Sequence, residues 1–295
     1  MTLYKQSKLS EIVTKIFVLF KDLFCRPICI NACLHYSYGR LRHRNWGDDI
    51  NIYFLERLWK RNISYLFASS LSSRQHKENY IVIGSTLTML ANSDSIVWGA
   101  GIIDENKPLT SVPKKILAVR GPKTRQWLLD RGIDCPLVYG DPALLIPKIY
   151  SPQKLQQHYK LGIIPHYDDY DCPLLDNLKA DNEVLFIRME GYDKWTDVLD
   201  QIVSCDYIAS SSLHGLIMAE AYGISNLWIS VTDKLLGGHF KFHDFFLSIG
   251  NDRPFPFPIN KDTTKEEILV TKNDYVKGKI DLTPLLSTSP FKTYL

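Results

Sequence analysis

Short apolar runs alternate with stretches of helical spacing along most of the chain, which is the sequence sign of parallel βαβ units. In the first half these runs predict strands over Ile28–Leu34, Tyr80–Gly84, Ile96–Gly99 and Lys115–Val119, with a short one near Leu137–Tyr139. Helices are predicted over about Asp48–Arg61 and Pro122–Arg131; the second has proline at its first position, where that residue is well suited. The stretch from Tyr150 to Gln153 reads as a linker, and the pattern then restarts. Strands are predicted over Leu161–Ile164, Val184–Ile187, Tyr207–Ala209 and Asn226–Ile229, with helices over Trp195–Ser204 and Leu213–Tyr222. The expected fold class is α/β, with two Rossmann-like domains, residues 1–152 and 153–295, facing across a cleft. In open sheets of this kind ligands bind beyond the carboxyl ends of the strands, so the residues just after those strands are the ones to examine.

A length of 295 residues suits two compact units, and 45% hydrophobic against 23% charged residues excludes a disordered chain. The formal net charge of +3 is too mild for a nucleic-acid surface, but positive groups gathered in a cleft would suit small anions. The six cysteines, at 25, 29, 33, 135, 172 and 205, show no Cys-x-x-Cys and no pairing with histidine. Neither a zinc site nor a disulfide framework is therefore indicated, and the thiols are expected to be reduced in a cytoplasmic protein. No run reaches the ~18 apolar residues of a membrane span. Ile12–Phe20 is apolar but interrupted by Lys15 and followed by Lys21 and Asp22, unlike a signal peptide. It is expected to be a terminal helix packed on its own domain; peripheral contact with an anionic membrane is the alternative, given Lys5, Lys8, Lys15 and Lys21. The absence of GxGxxG, GxxxxGK and GxSxG removes the main support for NAD, ATP-hydrolysis and serine-hydrolase readings.

The most informative stretch runs from Ser210 to Gly223. A strand ends in Ser210, Ser211 and Ser212, any of which can cap the following helix. Its N-terminus offers free N–H groups and the positive end of a dipole to a phosphate or carboxylate. His214 falls in the first turn, where it can donate a proton to a held anion. Asn45-Trp46-Gly47-Asp48 opens an earlier helix: Asn45 or Asp48 can cap it, Gly47 permits an unusual turn or a close approach, and Asp48 can accept a proton from a hydroxyl. Arg120, between a strand and Gly121-Pro122, is expected to project into the cleft, where a guanidinium grips carboxylate or phosphate. Gly140-Asp141-Pro142 reads as a rigid turn at the cleft edge. His166 ends a strand beside Asp168 and Asp169, either of which can orient it. Lys241-Phe242-His243-Asp244-Phe245-Phe246 reads as a helix with an apolar face, with Lys241 left open as a cleft residue.

In their order and spacing these segments, with Val97-Trp98-Gly99-Ala100-Gly101, resemble the polysaccharide pyruvyl transferase family over roughly Asn31 to Gly250. The resemblance implies a fold of the GT-B glycosyltransferase type with its active site between two domains. It implies phosphoenolpyruvate as donor, release of phosphate, and a pyruvate ketal on a sugar of a surface polysaccharide, with no further cofactor and no metal. By position His214 resembles the family's acid or donor-binding histidine, Arg120 its donor-binding arginine, and Asp48 the acidic residue of the early motif. Asn45, Gly47, Asp141, His166, Ser211, Ser212, Leu213, Gly215 and Lys241 are the substrate-binding positions expected around them. The acceptor is a saccharide, free or lipid-linked. Several family members carry Arg-Leu-His-Gly where this chain has Ser212-Leu213-His214-Gly215, so one cation of the phosphate site is absent. Lys241, Arg188 and Lys123 are candidates to replace it, or Ser212 donates a hydrogen bond instead. Two other functions share the architecture: a sugar-nucleotide glycosyltransferase, which commonly shows a pair of glutamates that this chain lacks, and a non-catalytic glycan-binding derivative.

Overall fold

The computed structural model describes residues 7–25, 27–66, 78–232 and 237–295. Helix α1 (Lys8–Cys25) leads into strand β1 (Ile28–Ile30) and a hairpin of β2 (Tyr36–Ser37) and β3 (Arg40–Leu41). Helix α2 (Trp46–Trp59), strand β4 (Ile63–Tyr65), β5 (Asn79–Ile81), the one-turn helix α3 (Leu87–Leu90), β6 (Ser95–Trp98), β7 (Lys115–Ala118) and α4 (Pro122–Leu129) follow. Five of these strands form a parallel sheet in the order β4-β1-β5-β6-β7. The second series comprises β8 (Leu161–Ile164), α5 (Asp176–Lys179), β9 (Val184–Phe186), α6 (Trp195–Val203), β10 (Ile208–Ser210), α7 (Leu213–Ala221), β11 (Asn226–Ser230), α8 (Phe240–Ser248) and β12 (Phe257–Pro258). Its sheet is also parallel, in the order β12-β11-β10-β8-β9. Helices α9 (Lys265–Val270) and α10 (Thr283–Ser287) complete the chain.

Two parallel α/β sheets of Rossmann-like kind are thus present, as the alternating pattern predicts. Parallel strands covered on both faces read as continuous apolar runs, and β1, β6 and β8 are buried at every position. The predicted strand over Ile28–Leu34 stops at Ile30; the Asn31 N–H still donates to Tyr80 O at 2.8 Å, and its side-chain amide donates to Leu90 O at 2.6 Å. The strand expected near Leu137–Tyr139 shrinks to a single bridge from Tyr139 to Val119. Three features had no strong sequence signal. The β2–β3 hairpin has two-residue strands, β4 is three residues long, and β12 carries Pro258, tolerated because that strand lies at the sheet edge.

The largest apolar cluster is continuous from Ile30 and Trp46 of the first series to Ile164, Leu216 and Phe242 of the second. Trp46 acts as a pin: fully buried, it donates from Nε1 to Trp195 O at 2.7 Å, and its own N–H bonds Met189 O at 2.7 Å. The final residues turn back to the first sheet. Trp98 Nε1 donates to Leu285 O at 2.9 Å, Trp59 Nε1 to Ser289 Oγ at 3.2 Å, and Tyr294 N–H to Leu58 O at 2.8 Å. All six cysteines are free. No helix among the described residues is long and apolar enough to cross a membrane.

Candidate active site

Two helix N-termini, one from each series, meet at a cavity of about 220 Å³. On the first side Asn45 is the N-cap of α2: its Oδ1 accepts the Gly47 N–H at 3.1 Å, and its Nδ2 donates to Asp48 Oδ2 at 2.7 Å. Asp48 therefore does not cap the helix. It stands in the first turn, 7% exposed, and its carboxyl lines the cavity. Burial pushes its pKa up to about 7, against the opposing effects of the Asn45 hydrogen bond and the Lys241 charge. Asp49, beside it, is fully buried and accepts from Tyr192 OH at 2.6 Å. Burial raises its pKa to about 7 as well, the Tyr192 bond opposing this and the Asp48 charge adding to it.

On the second side Ser210 and Ser211 tie strand ends together. Ser210 Oγ donates to Ile164 O at 3.0 Å and accepts the Ser212 N–H at 3.0 Å, while Ser211 Oγ accepts the His166 N–H at 2.8 Å. Ser212 is the N-cap of α7, but its side chain makes no capping bond and leaves the first-turn N–H groups of the helix uncapped by it. Ser212, Leu213 and His214 line the cavity. Gly215 lets the helix seat on the strands, since a Cβ there would lie 2.5 Å from Ser210 Oγ.

The two sides touch through Gly47. A Cβ at this position would come within 1.9 Å of His214 Nδ1, so the imidazole rests directly on the Gly47 backbone. The close approach that glycine permits is made by this protein's own histidine. Nε2 of His214 is buried and has no hydrogen-bond partner among the described residues. Burial, then the charges of Arg120 and Lys241, lower its pKa to about 3, leaving a neutral ring at pH 7. Lys241, near the start of α8, is 9% exposed and lines the same cavity; burial and the Arg120 charge bring its pKa down to about 8, with Asp48 opposing. His166 also lines it, with Nδ1 3.6 Å from Asp168 Oδ2. Burial, then Lys241, lower its pKa to about 4. Asp169 takes no part, accepting instead from Thr232 Oγ1 at 2.6 Å.

Arg120 is placed differently from the sequence expectation. It is fully buried and stands behind the cavity wall rather than projecting into the space. Nε donates to Asp244 Oδ2 at 3.0 Å, Nη2 to Ile102 O at 3.0 Å, and Nη1 to Ser85 Oγ, which itself lines the cavity. Asp244, which its sequence neighbourhood presents only as part of a helix, is the partner of this arginine. From α8 it caps α4, accepting the Thr124 N–H at 2.8 Å and the Thr124 hydroxyl at 2.7 Å while pairing with Arg120. Gly121 makes this possible, for a Cβ there would strike Asp244 O at 1.9 Å. Asp141 belongs to the same buried group and not to the cavity lining. It caps the turn at Pro142 by accepting the Ala143 N–H at 3.0 Å, and burial raises its pKa to about 6.

Of the three cations proposed to stand in at Ser212, only Lys241 reaches the cavity. Arg188 stacks over Tyr170 at 3.7 Å, and Lys123 lies over Phe240 at 5.2 Å. Ser85, Thr86 and Cys33 complete the wall without any motif to announce them. Thr86 Oγ1 is buried with no partner among the described residues. The Cys33 thiol, pushed far up by burial and then by Asp48, is no nucleophile. A separate, more open depression of about 460 Å³ is lined by Asp104, Lys123, His239 and His243.

Two parallel α/β sheets with an uncapped helix N-terminus, a lysine and a neutral histidine facing a protonatable carboxyl define the class: a two-sheet α/β protein with a polar cavity at its seam. The chain belongs to the polysaccharide pyruvyl transferase family, whose model matches residues 22–233. The uncharacterized protein L143 of Acanthamoeba polyphaga mimivirus is 28% identical over 246 residues, 81% of this chain and 80% of that protein. The succinoglycan biosynthesis protein ExoV of Rhizobium meliloti (strain 1021) is 26% identical over 240 residues, 79% of this chain and 70% of its own length. The family resemblance read from the motifs is therefore correct, and it makes the protein a transferase of polysaccharide biosynthesis.

Proposed function

We propose that this protein transfers the enolpyruvyl unit of phosphoenolpyruvate to a saccharide acceptor, closing a pyruvate ketal and releasing phosphate, in a GT-B-type arrangement. The observation that carries the reading is the seam itself: the open N-terminus of α7, Lys241 and the orphan Nε2 of His214 gather opposite Asp48. Phosphoenolpyruvate brings a phosphate and a carboxylate, which suit these donors and the fixed charge of Arg120 behind Ser85. A nearby dianion raises the pKa of His214, so the ring that is neutral in the empty site takes a proton as the donor binds. His214 then serves as the acid toward the enol carbon or the departing phosphate. Asp48, with a pKa near 7, is matched to accept a proton from the attacking sugar hydroxyl. Of the two acceptor hydroxyl protons, one ends on the new methyl group and one on phosphate. The volume of about 220 Å³ lies below the ~300 Å³ at which pockets for larger ligands begin, favouring a three-carbon donor over a sugar nucleotide.

The test is a thermal-shift titration with phosphoenolpyruvate beside UDP, GDP and inorganic phosphate. Stabilisation by phosphoenolpyruvate, weakened roughly tenfold or more in apparent affinity by Lys241→Gln, is expected. Stabilisation by a nucleotide without phosphoenolpyruvate would overturn the reading in favour of a sugar-nucleotide glycosyltransferase.

A further inference from the structure

Helix α1 is attached to the protein by its polar side. Ser10, Thr14 and Val18, one turn apart, are buried. Ser10 Oγ lies 3.1 Å from Ser37 Oγ and accepts the Tyr38 N–H at 3.1 Å, and Thr14 Oγ1 accepts the Gly39 N–H at 3.0 Å. The opposite side is apolar and open to solvent: Leu9, Ile12, Ile16, Phe17, Phe20 and Phe24 are 49% to 75% exposed. At 3.6 residues per turn these positions form one stripe. A surface helix ordinarily buries that stripe and exposes its polar face; α1 does the reverse.

The hairpin beside it supplies the charge. Ser37 pairs with Arg40 across β2 and β3, so their side chains leave the same face, the one that meets α1 through Ser10. Arg42 follows by alternation, and its N–H continues the pairing to His35 O at 2.7 Å. Arg40, Arg42 and Lys8 are exposed, and Tyr38 at the hairpin tip is 51% exposed. Gly39 holds the tip against the helix, where a Cβ would lie 3.2 Å from Phe17 Cγ.

We propose that α1 and the β2–β3 hairpin form a docking surface for an anionic lipid bilayer. The Ile and Phe stripe enters the acyl boundary, Tyr38 sits at the interface, and Arg40, Arg42 and Lys8 meet the headgroup phosphates. The charge selects this occupant over a second copy of the chain, because a two-fold pairing would set the same cations against each other. Asn45 at the cavity wall lies five residues beyond Arg40, so at most roughly 18 Å of chain separates the docking surface from the site. On the reading given above, that is where the sugar of a lipid-linked acceptor would lie; the surface itself does not depend on that reading.

The test is flotation of the full chain with phosphatidylcholine vesicles, with and without phosphatidylglycerol. Capture by the anionic vesicles is expected, with little by the neutral ones, and it should weaken as salt rises. Phe20→Asp with Phe24→Asp, and separately Arg40→Glu with Arg42→Glu, should each lower the bound fraction about tenfold with unchanged melting temperature, since these side chains face solvent. Equal binding to both vesicle types, or binding unaffected by either pair of substitutions, would overturn the proposal. So would a wild-type dimer in light scattering that the Phe20/Phe24 pair converts to a monomer, which would assign the face to a second copy.

Discussion

The two helix N-termini at the seam solve the same local problem in opposite ways. At α2 the cap is filled: Asn45 satisfies Gly47 N–H and steadies Asp48, and no donor is left for a ligand. At α7 Ser210 and Ser211 brace strand ends, and the Ser212 side chain makes no capping bond. Their ionisable groups are displaced in opposite senses by the same burial, the Asp48 carboxyl upward and the His214 imidazole downward. One end thus presents an acid group able to hold its proton near neutrality, and the other an anion-seeking surface with a neutral ring. The difference teaches that a capped and an uncapped helix start, set face to face, make a polarised site.

The contact between them is the place to strike hardest. Gly47→Ala forces a methyl group into His214, and turnover should drop by two to four orders of magnitude, as should that of His214→Ala. Because both act through one ring, Gly47→Ala in the His214→Ala background should cost little more, and steady-state kinetics of the double-mutant cycle measures this. Additive losses would show that Gly47 serves something other than the histidine.

The opposite pKa displacements should appear as opposite pH slopes in stability. The folded Asp48 carboxyl binds its proton near pH 7 and the unfolded one near 3.8, so wild type loses stability as pH rises through that window. Asp48→Asn removes the loss and should gain on wild type from pH 4 to 7. His214 titrates near 3 when folded and 6.5 when unfolded, so it costs stability at low pH, and the cost vanishes as pH climbs to 6.5. His214→Gln should therefore exceed wild type at pH 4 and converge with it by pH 6.5. Each difference is on the order of 2 kcal/mol, at about 1.4 kcal/mol per pKa unit with allowance for relaxation. Denaturant titrations across pH read it directly, and parallel slopes would contradict the assignment.

The smallest effect separates the caps themselves. Asn45→Ala should cost about 1 kcal/mol of stability, and Ser212→Ala less than about 0.5 kcal/mol, because only the first side chain makes a capping bond. Equal losses in chemical denaturation would erase the distinction.

Much of this was readable in the chain. Apolar runs of parallel strands and the helices between them are local signals, and seven of the residues singled out from them line one cavity: Asn45, Asp48, His166, Ser212, Leu213, His214 and Lys241. What the chain hid were relations between distant segments. Arg120 looked like a cleft arginine because its neighbours Gly121 and Pro122 announce a strand–helix junction; only the fold shows Asp244 arriving to occupy it. Gly47 looked like an unusual turn or a close approach by a ligand, because nothing local says that a histidine far along the chain rests on it. Ser85 and Thr86 follow a short strand in a segment of ordinary composition, and only their place beside Asp48 gives them meaning.

The return of the last residues to the first sheet carries a practical consequence. The carbonyl of Leu285 and the hydroxyl of Ser289 satisfy indoles of Trp98 and Trp59, which lie at the heart of the opposite half. Cutting the gene at the junction near residue 152 would therefore yield an N-terminal fragment with two unsatisfied tryptophans and a C-terminal one trailing a sticky tail. Any circular permutation of this scaffold must therefore keep that closing clasp within reach of the sheet it completes.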